Sequence, residues 1–167
     1  MNQTAQSTFA NLQRILQQHL LLARRLARLA KAQSEAIVAG DVVRLTSLEA
    51  EQRQTIQQQE ALEPEREKAT HDLAVLLRLT PESRLAEMIA KMPPPEKRTF
   101  SLLRQELLAV QEEIKRTKEE NTRLLHSAIE YVQFSMESLT RAIFKPTRYG
   151  TNLAALAAPA LLLDSRA

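Results

Sequence analysis

Residues 96–144 read EKRTFSLLRQELLAVQEEIKRTKEENTRLLHSAIEYVQFSMESLTRAIF and decide the fold of the chain. Apolar or small residues recur along this stretch in alternating steps of three and four: Phe100, Leu103, Leu107, Val110, Ile114, Thr117, Asn121, Leu124, Ala128 and Tyr131. Only a helix turns this spacing into one continuous stripe, because a strand would distribute these side chains over both faces of a sheet. Since no Gly or Pro interrupts the stretch, it predicts a single helix of about 49 residues, roughly 70 Å long.

A helix of this length cannot bury its apolar stripe alone, so other helices must run beside it. The composition agrees, because the 167 residues include only two Gly and no Trp, and residues that favour helices dominate. We therefore predict an all-α protein, an elongated antiparallel bundle or coiled coil of three long helices with one short helix before the last. Asn121 lies within the stripe, where a buried polar residue typically fixes the register between helices.

The first long helix is predicted over residues 8–39 and ends at Gly40, since Gly is favoured just past a helix C-terminus. Asp41 can cap the next helix, so the first two helices should form a tight antiparallel hairpin. The side of the first helix predicted to be buried comprises Leu12, Ile15, Leu16, His19, Leu22, Ala23, Leu26, Leu29, Ala30, Gln33 and Ile37.

The second helix becomes polar along its predicted seam, where Gln52, Thr55 and Gln59 occupy positions that apolar residues normally hold. The core should be thin there, and each glutamine must either stay exposed or find a hydrogen-bond partner. Pro64 lacks a backbone donor and predicts a kink or a restart of the helix.

Two proline-containing segments lie between the second and the last long helix. Thr80 and Pro81 are predicted to be the N-cap and first residue of a short helix, whose apolar side carries Leu85, Met88, Ile89 and Met92. The prolines at 93–95 are predicted to form a stiff extended connector to the long helix.

Charge is unevenly distributed, although the net charge is only +3. The first helix carries five basic residues against Glu35 alone: Arg14, Arg24, Arg25, Arg28 and Lys31. Residues 41–91 carry an acidic excess, which predicts ion pairs between the first two helices. A nucleic-acid-binding surface and a membrane-surface helix remain alternative interpretations of the basic segment.

Residues suited to catalysis or metal binding are sparse. His19, His71 and His126 are isolated from one another and from the spacings of helical metal sites, and the chain has no Cys. Two Gly cannot build a phosphate-binding loop. We therefore expect no enzyme activity, no metal and no cofactor.

Several residues in order along the chain resemble the FlgN-type flagellar export chaperones. They are Gly40-Asp41, Leu45, Leu48, Glu51, Ile56, Leu62-Glu63, Arg66, Asn121, Leu124-Leu125, Ile129, Leu139 and Tyr149-Gly150. The resemblance covers roughly residues 10–150, and its strongest parts are the Asn-x-x-Leu-Leu motif and the Tyr-Gly pair. The sequence departs from the family pattern at Pro64, at the triple proline and in the apolar segment beyond Gly150.

The resemblance implies a cytoplasmic, non-enzymatic chaperone. Such a protein binds the hook-filament junction proteins FlgK and FlgL through their helical termini and delivers them to the cytoplasmic domain of the export-gate protein FlhA. It implies no nucleic-acid partner and no stable membrane insertion, and it leaves open a monomer or a homodimer. The competing interpretation is a structural coiled-coil adapter, or a bundle that closes its stripe with its own helices or a second copy.

Two sites follow from these interpretations. A client-binding groove is predicted on the long helix, and its residues are Leu107, Val110, Ile114, Asn121, Leu124 and Leu125. The resemblance assigns docking on the export gate to Tyr149 and Gly150. The chaperone domain is predicted to span residues 1–150, and residues 151–167 to form a flexible apolar tail that could compete for the groove.

Overall fold

The computed structural model describes residues 3–143, and these residues form four helices and no strand. The helices are α1 (Gln3–Ala39), α2 (Val42–Leu76), α3 (Leu85–Lys91) and α4 (Pro94–Ile143). The predicted all-α class, with three long helices and one short helix before the last, is confirmed. The chain divides into an N-terminal unit, Met1–Ala128, and a C-terminal unit, Ile129–Ala167.

The turn between α1 and α2 follows the predicted chemistry. Gly40 has a positive φ of 65° that L-residues rarely adopt, and its N–H donates to the carbonyl of Ile37 at 3.1 Å. The next N–H, from Asp41, donates to the carbonyl of Ala36 at 2.9 Å, which completes a Schellman motif. The Asp41 side chain then accepts a hydrogen bond from the Arg44 N–H at 2.9 Å and caps α2.

Ion pairs define the directions of the long helices within the N-terminal unit. Arg14 pairs with Glu65 at 3.5 Å and Arg25 with Glu51 at 3.9 Å, so α1 and α2 are antiparallel. On another side of α1, Arg24 pairs with Glu106 at 2.8 Å and Lys31 with Glu113 at 2.6 Å, so α4 runs parallel to α1. Four of the five basic residues of α1 are therefore neutralised, which weakens the nucleic-acid interpretation.

The core lies where α1, the end of α2, α3 and the start of α4 meet. Phe100 and Phe9 pack edge to face there, with ring centroids 6.3 Å apart. The buried core residues are Phe9, Leu12, Ile15, Leu16, Leu20, Ala69, Leu73, Ala74, Met88, Ile89, Met92, Phe100 and Leu103. The apolar side predicted for the short helix is confirmed at Met88, Ile89 and Met92.

The proline-based predictions at residues 80–81 and 93–95 were wrong. Thr80 and Pro81 do not open a helix but form a turn, in which the Ser83 N–H donates to the carbonyl of Thr80 at 3.0 Å. Helix α3 begins only at Leu85, after Arg84. Of the prolines at 93–95, the last two form the first turn of α4, where their missing donors cost nothing because those positions have no intrahelical acceptor.

Helix α2 does not restart at Pro64 but runs unbroken from Val42 to Leu76. The predicted polar seam of α2 does face α1. Gln52 exchanges hydrogen bonds with Gln33 of α1 at 3.3 and 3.5 Å, and the fully buried Thr55 donates to the carbonyl of Glu51 at 2.8 Å. Pairing the two amides removes the penalty that each would carry alone.

Candidate functional site

A cleft runs between α2 and α4, and α1 forms its floor; we call it the α2–α4 cleft. Two adjoining cavities lie there, and their lining residues come from all four helices: Leu16, His19, Ala23, Leu26, Gln59, Glu63, Arg66, Leu85, Arg104, Leu107, Leu108, Gln111 and Ile114. The lining therefore combines apolar side chains and two amides with His19 and three charged side chains.

His19 lies at the centre of the cleft. Its Nε2 atom is buried and has no hydrogen-bond partner, and the nearest acidic oxygen, on Glu63, is 4.0 Å away.

Burial lowers the pKa of His19 below its ordinary value of 6.5, because desolvation penalises the charged imidazolium. The Glu63 carboxylate and the Leu62 hydrogen bond act against this shift, whereas the nearby Arg66 guanidinium adds to it. Arg66 also donates from Nε to Glu63 Oε2 at 2.9 Å and lowers the pKa of that carboxyl. Glu60 and Arg104 are the other charged residues that line the cavities around His19.

These pKa shifts predict a dependence of stability on pH. A histidine whose folded pKa is depressed stabilises the protein fully above the unfolded pKa, and this contribution is lost as the pH falls. The melting temperature should therefore decrease as the pH falls from 6.5, and the lowered pKa of Glu63 adds a further decrease below 4.5. Between pH 6.5 and 4.5, calorimetry should show a smaller decrease in melting temperature for His19→Gln than for wild type. The control His71→Gln, at an exposed position, should show the same decrease as wild type. Equal profiles for wild type and His19→Gln would contradict the burial of a neutral His19.

Asn121 belongs to a polar layer between α1 and α4. It is only 7% exposed, its Nδ2 donates to the carbonyl of Ala30 at 2.9 Å, and its Oδ1 accepts a hydrogen bond from the Ser34 hydroxyl at 2.5 Å. These contacts satisfy both ends of the amide inside the bundle. They match the register-fixing role proposed for a polar seam residue and leave Asn121 little freedom to contact a partner.

The other residues of the predicted groove have different environments. Leu107 and Ile114 line the α2–α4 cleft, and Val110 is half-buried against the core. Leu124 is half-buried, and Leu125 is exposed. The six predicted residues therefore differ in exposure, from the buried Asn121 to the exposed Leu125.

The part of α4 in the C-terminal unit exposes a row of apolar side chains. Five apolar residues there recur in steps of three and four, and each is more than half exposed: Ile129, Val132, Met136, Leu139 and Ile143. Because a helix turns 100° per residue, these side chains fall within an arc of about 80°. We call this set the C-terminal stripe.

Sequence reasoning missed the C-terminal stripe because the apolar phase changes at Leu124-Leu125. The predicted stripe was continued through Ala128 to Tyr131, but both residues are exposed. The buried phase ends with the half-buried Leu124, and the exposed phase begins at Leu125, one residue later. This shift by one position rotates the apolar face by about 100° and was detectable in the sequence.

Tyr149, Gly150 and the predicted tail 151–167 lie outside the described residues. Within residues 3–143, no group of three His, Asp or Glu side chains gathers as a metal site would require. None of the described helices is long and apolar enough to span a membrane.

A family profile described as FlgN protein matches residues 1–155. The chain belongs to the FlgN family. FlgN-family proteins are flagellar export chaperones, so the resemblance carried by the Asn-x-x-Leu-Leu motif and the Tyr-Gly pair is confirmed. No curated protein and no solved structure matches the chain significantly.

Proposed function

We propose that this FlgN-family chain is a cytoplasmic chaperone that holds the helical termini of FlgK and FlgL and delivers these clients to the export gate. The C-terminal stripe is the observation that carries the proposal. Exposed apolar surface on a helix is costly in water, and apolar anchors at this spacing are how one amphipathic helix binds another. Membership of the FlgN family supplies the class of partner, an export client.

The C-terminal stripe suits a client helix chemically. Its edges are uncharged, because Gln133, Ser135, Thr140 and Ala142 flank the apolar residues. A client helix can therefore approach without desolvating a charge, which would otherwise offset the gain from apolar burial. Met136 at the centre adds a flexible side chain that adapts to different partners, as binding to both FlgK and FlgL requires.

The predicted groove residues take different parts in this proposal. Leu107 and Ile114 remain candidates for client contact through the α2–α4 cleft, and Leu124 and Leu125 precede the stripe on the same helix. Val110 and Asn121 are proposed to support the bundle, because the first packs on the core and the second bonds to α1.

The mass of complexes in solution tests the proposal. Light scattering of the purified chain with full-length FlgK, and separately with FlgL, should reveal a complex whose mass equals one chaperone plus one client. An unrelated flagellar export substrate provides the control and should leave both masses unchanged. Self-association of the chain alone, with no complex formed by either client, would instead support the structural adapter.

Delivery to the gate is proposed to depend on Tyr149, which combines an apolar ring with a hydroxyl suited to protein contacts. Tyr149→Ala should weaken binding of the client-loaded chaperone to the FlhA cytoplasmic domain by about tenfold while client affinity stays unchanged. Calorimetric titration measures both affinities. Tyr131→Ala removes the other tyrosine and should leave gate binding intact. Equal gate affinities for wild type and Tyr149→Ala would refute the docking role.

A further inference from the structure

The C-terminal stripe follows the seven-residue repeat of a coiled coil. Its apolar residues alternate in steps of three and four, which assigns Ile129, Met136 and Ile143 to position a of the heptad and Val132 and Leu139 to position d. Seven residues fall about 20° short of two full turns of an α-helix, so the stripe winds slowly around its own helix. A partner helix that stays on the stripe must wind with it, which produces a left-handed supercoil.

The charged residues of the same segment lie away from the stripe. Residues 129–143 include only three of them, Glu130, Glu137 and Arg141, at about 120–160° around the helix from the centre of the stripe. Arg141 pairs there with Glu137 at 3.4 Å. The positions that border a coiled-coil seam, e and g, hold uncharged residues instead: Gln133, Ser135, Thr140 and Ala142. The seam therefore offers no charge with which a partner could form an ion pair.

The width of the C-terminal stripe favours a single partner helix. Helices that face the core of a larger bundle carry a third apolar residue per heptad, at e or g, and their apolar face spans about 100° or more. The C-terminal stripe is confined to positions a and d, within about 80°, which is the narrower seam of paired helices. Met136, at the central a position, is flexible enough to accommodate different side chains opposite it.

We infer that the C-terminal stripe is one strand of a two-stranded, left-handed coiled coil. Its other strand is a single client helix with aliphatic residues at the same heptad spacing and uncharged residues beside them. This inference rests on the proposed function and specifies the helix that the chaperone selects. A client helix with charges beside its seam would lose part of their hydration and meet no countercharge. Because the contact buries apolar side chains without forming ion pairs, its affinity is insensitive to salt.

Photo-crosslinking of the full chain to full-length FlgK tests the heptad register. A p-benzoylphenylalanine placed singly at Ile129, Met136 or Ile143 should react with three FlgK positions that lie on one helix about seven residues apart. The order of these positions along FlgK tells whether the two strands run parallel or antiparallel, and either direction fits the inference. The same probe at Ser138, about 140° around the helix from the centre of the stripe, should not react with FlgK.

The salt dependence of binding gives a second readout, which needs no substitution. Calorimetric titration of the wild-type chain with FlgK should give dissociation constants within about threefold of each other at about 50 mM and about 500 mM NaCl. A weakening of about tenfold or more at the higher salt concentration would show that charged side chains carry the contact, and it would overturn the inference. This measurement decides the question if the probes prevent FlgK from binding.

The crosslinks distinguish failure of this inference from failure of the proposed function. FlgK positions that lie on two different helices, or that are not about seven residues apart, overturn the coiled coil and leave client capture intact. Equal reaction from Ser138 and from the stripe positions does the same. A chain that binds neither FlgK nor FlgL overturns the proposed function and this inference with it.

Discussion

Replacing Leu139 by Asp is expected to weaken binding of FlgK and FlgL by at least about 100-fold without reducing helicity. Leu139 belongs to the C-terminal stripe and is 61% exposed in the described structure, so an Asp there disturbs no core packing. In the proposed client complex this position becomes buried, and an unpaired carboxylate would have to be desolvated in addition to the lost apolar contact. Calorimetric titration measures the affinity, and circular dichroism measures the helicity.

Ser138→Asp is the matched control for this prediction. It introduces the same charge one residue earlier, at an exposed position about 140° around the helix from the centre of the C-terminal stripe. Its client affinity should stay within about threefold of wild type, the size expected for a charge outside the contact. If Ser138→Asp and Leu139→Asp weaken binding equally, net charge rather than the stripe governs client capture.

Replacing Phe100 by Ala is expected to lower the free energy of unfolding by about 3–5 kcal/mol. Phe100 is 1% exposed and packs against Phe9, so the truncation leaves a cavity where α1 and α4 meet. A loss of this size is a large part of the total stability of a small domain. Urea unfolding followed by circular dichroism should show a strongly reduced midpoint.

Leu102→Ala provides the comparison, because Leu102 lies two residues away on the same helix and is 55% exposed. Its midpoint should change little, since surface truncations are usually worth less than about 0.5 kcal/mol. Similar losses for the two variants would mean that Phe100 does not anchor α4 to the bundle.

Local chemistry made much of the fold predictable. The Gly40-Asp41 turn was correctly placed because a positive φ and an N-cap each demand particular residues at particular positions. Most of the buried side of α1 was predicted because its apolar spacing is regular. The prediction missed the buried Leu20, Ala27 and Ala36. The sequence predicted that a buried Gln52 needs a hydrogen-bond partner. It did not identify Gln33 as that partner, because the sequence alone does not show which residues face each other across two helices.

The proline errors have a common physical cause. Proline is compatible with both an extended connector and the first turn of a helix, so its presence alone does not distinguish them. Pro94 and Pro95 form the first turn of helix α4. At Pro64 the packed helix tolerates the missing hydrogen bond, because the surrounding contacts of α2 stabilise the helical backbone.

The environments of the candidate-site residues were not predictable from the sequence. Alternating apolar steps indicated a helix-binding protein, and the family resemblance indicated its partners. The sequence did not show that Asn121 is engaged with Ala30 and Ser34, because that assignment depends on the axial alignment of α1 and α4. The sequence likewise did not show that His19 Nε2 lacks a hydrogen-bond partner within the protein, because that depends on which side chains surround the atom.

Hydrogen–deuterium exchange of the full chain, with and without bound FlgK, tests the central claim most directly. Nearly all side chains of residues 129–143 are exposed, and helix with little buried surface opens readily, so the amides of these residues should exchange rapidly in the free chaperone. Client binding should slow their exchange by at least about tenfold, because opening the helix would then require loss of the client contact. Unchanged exchange of residues 129–143 in a chaperone saturated with FlgK would contradict client capture by the C-terminal stripe.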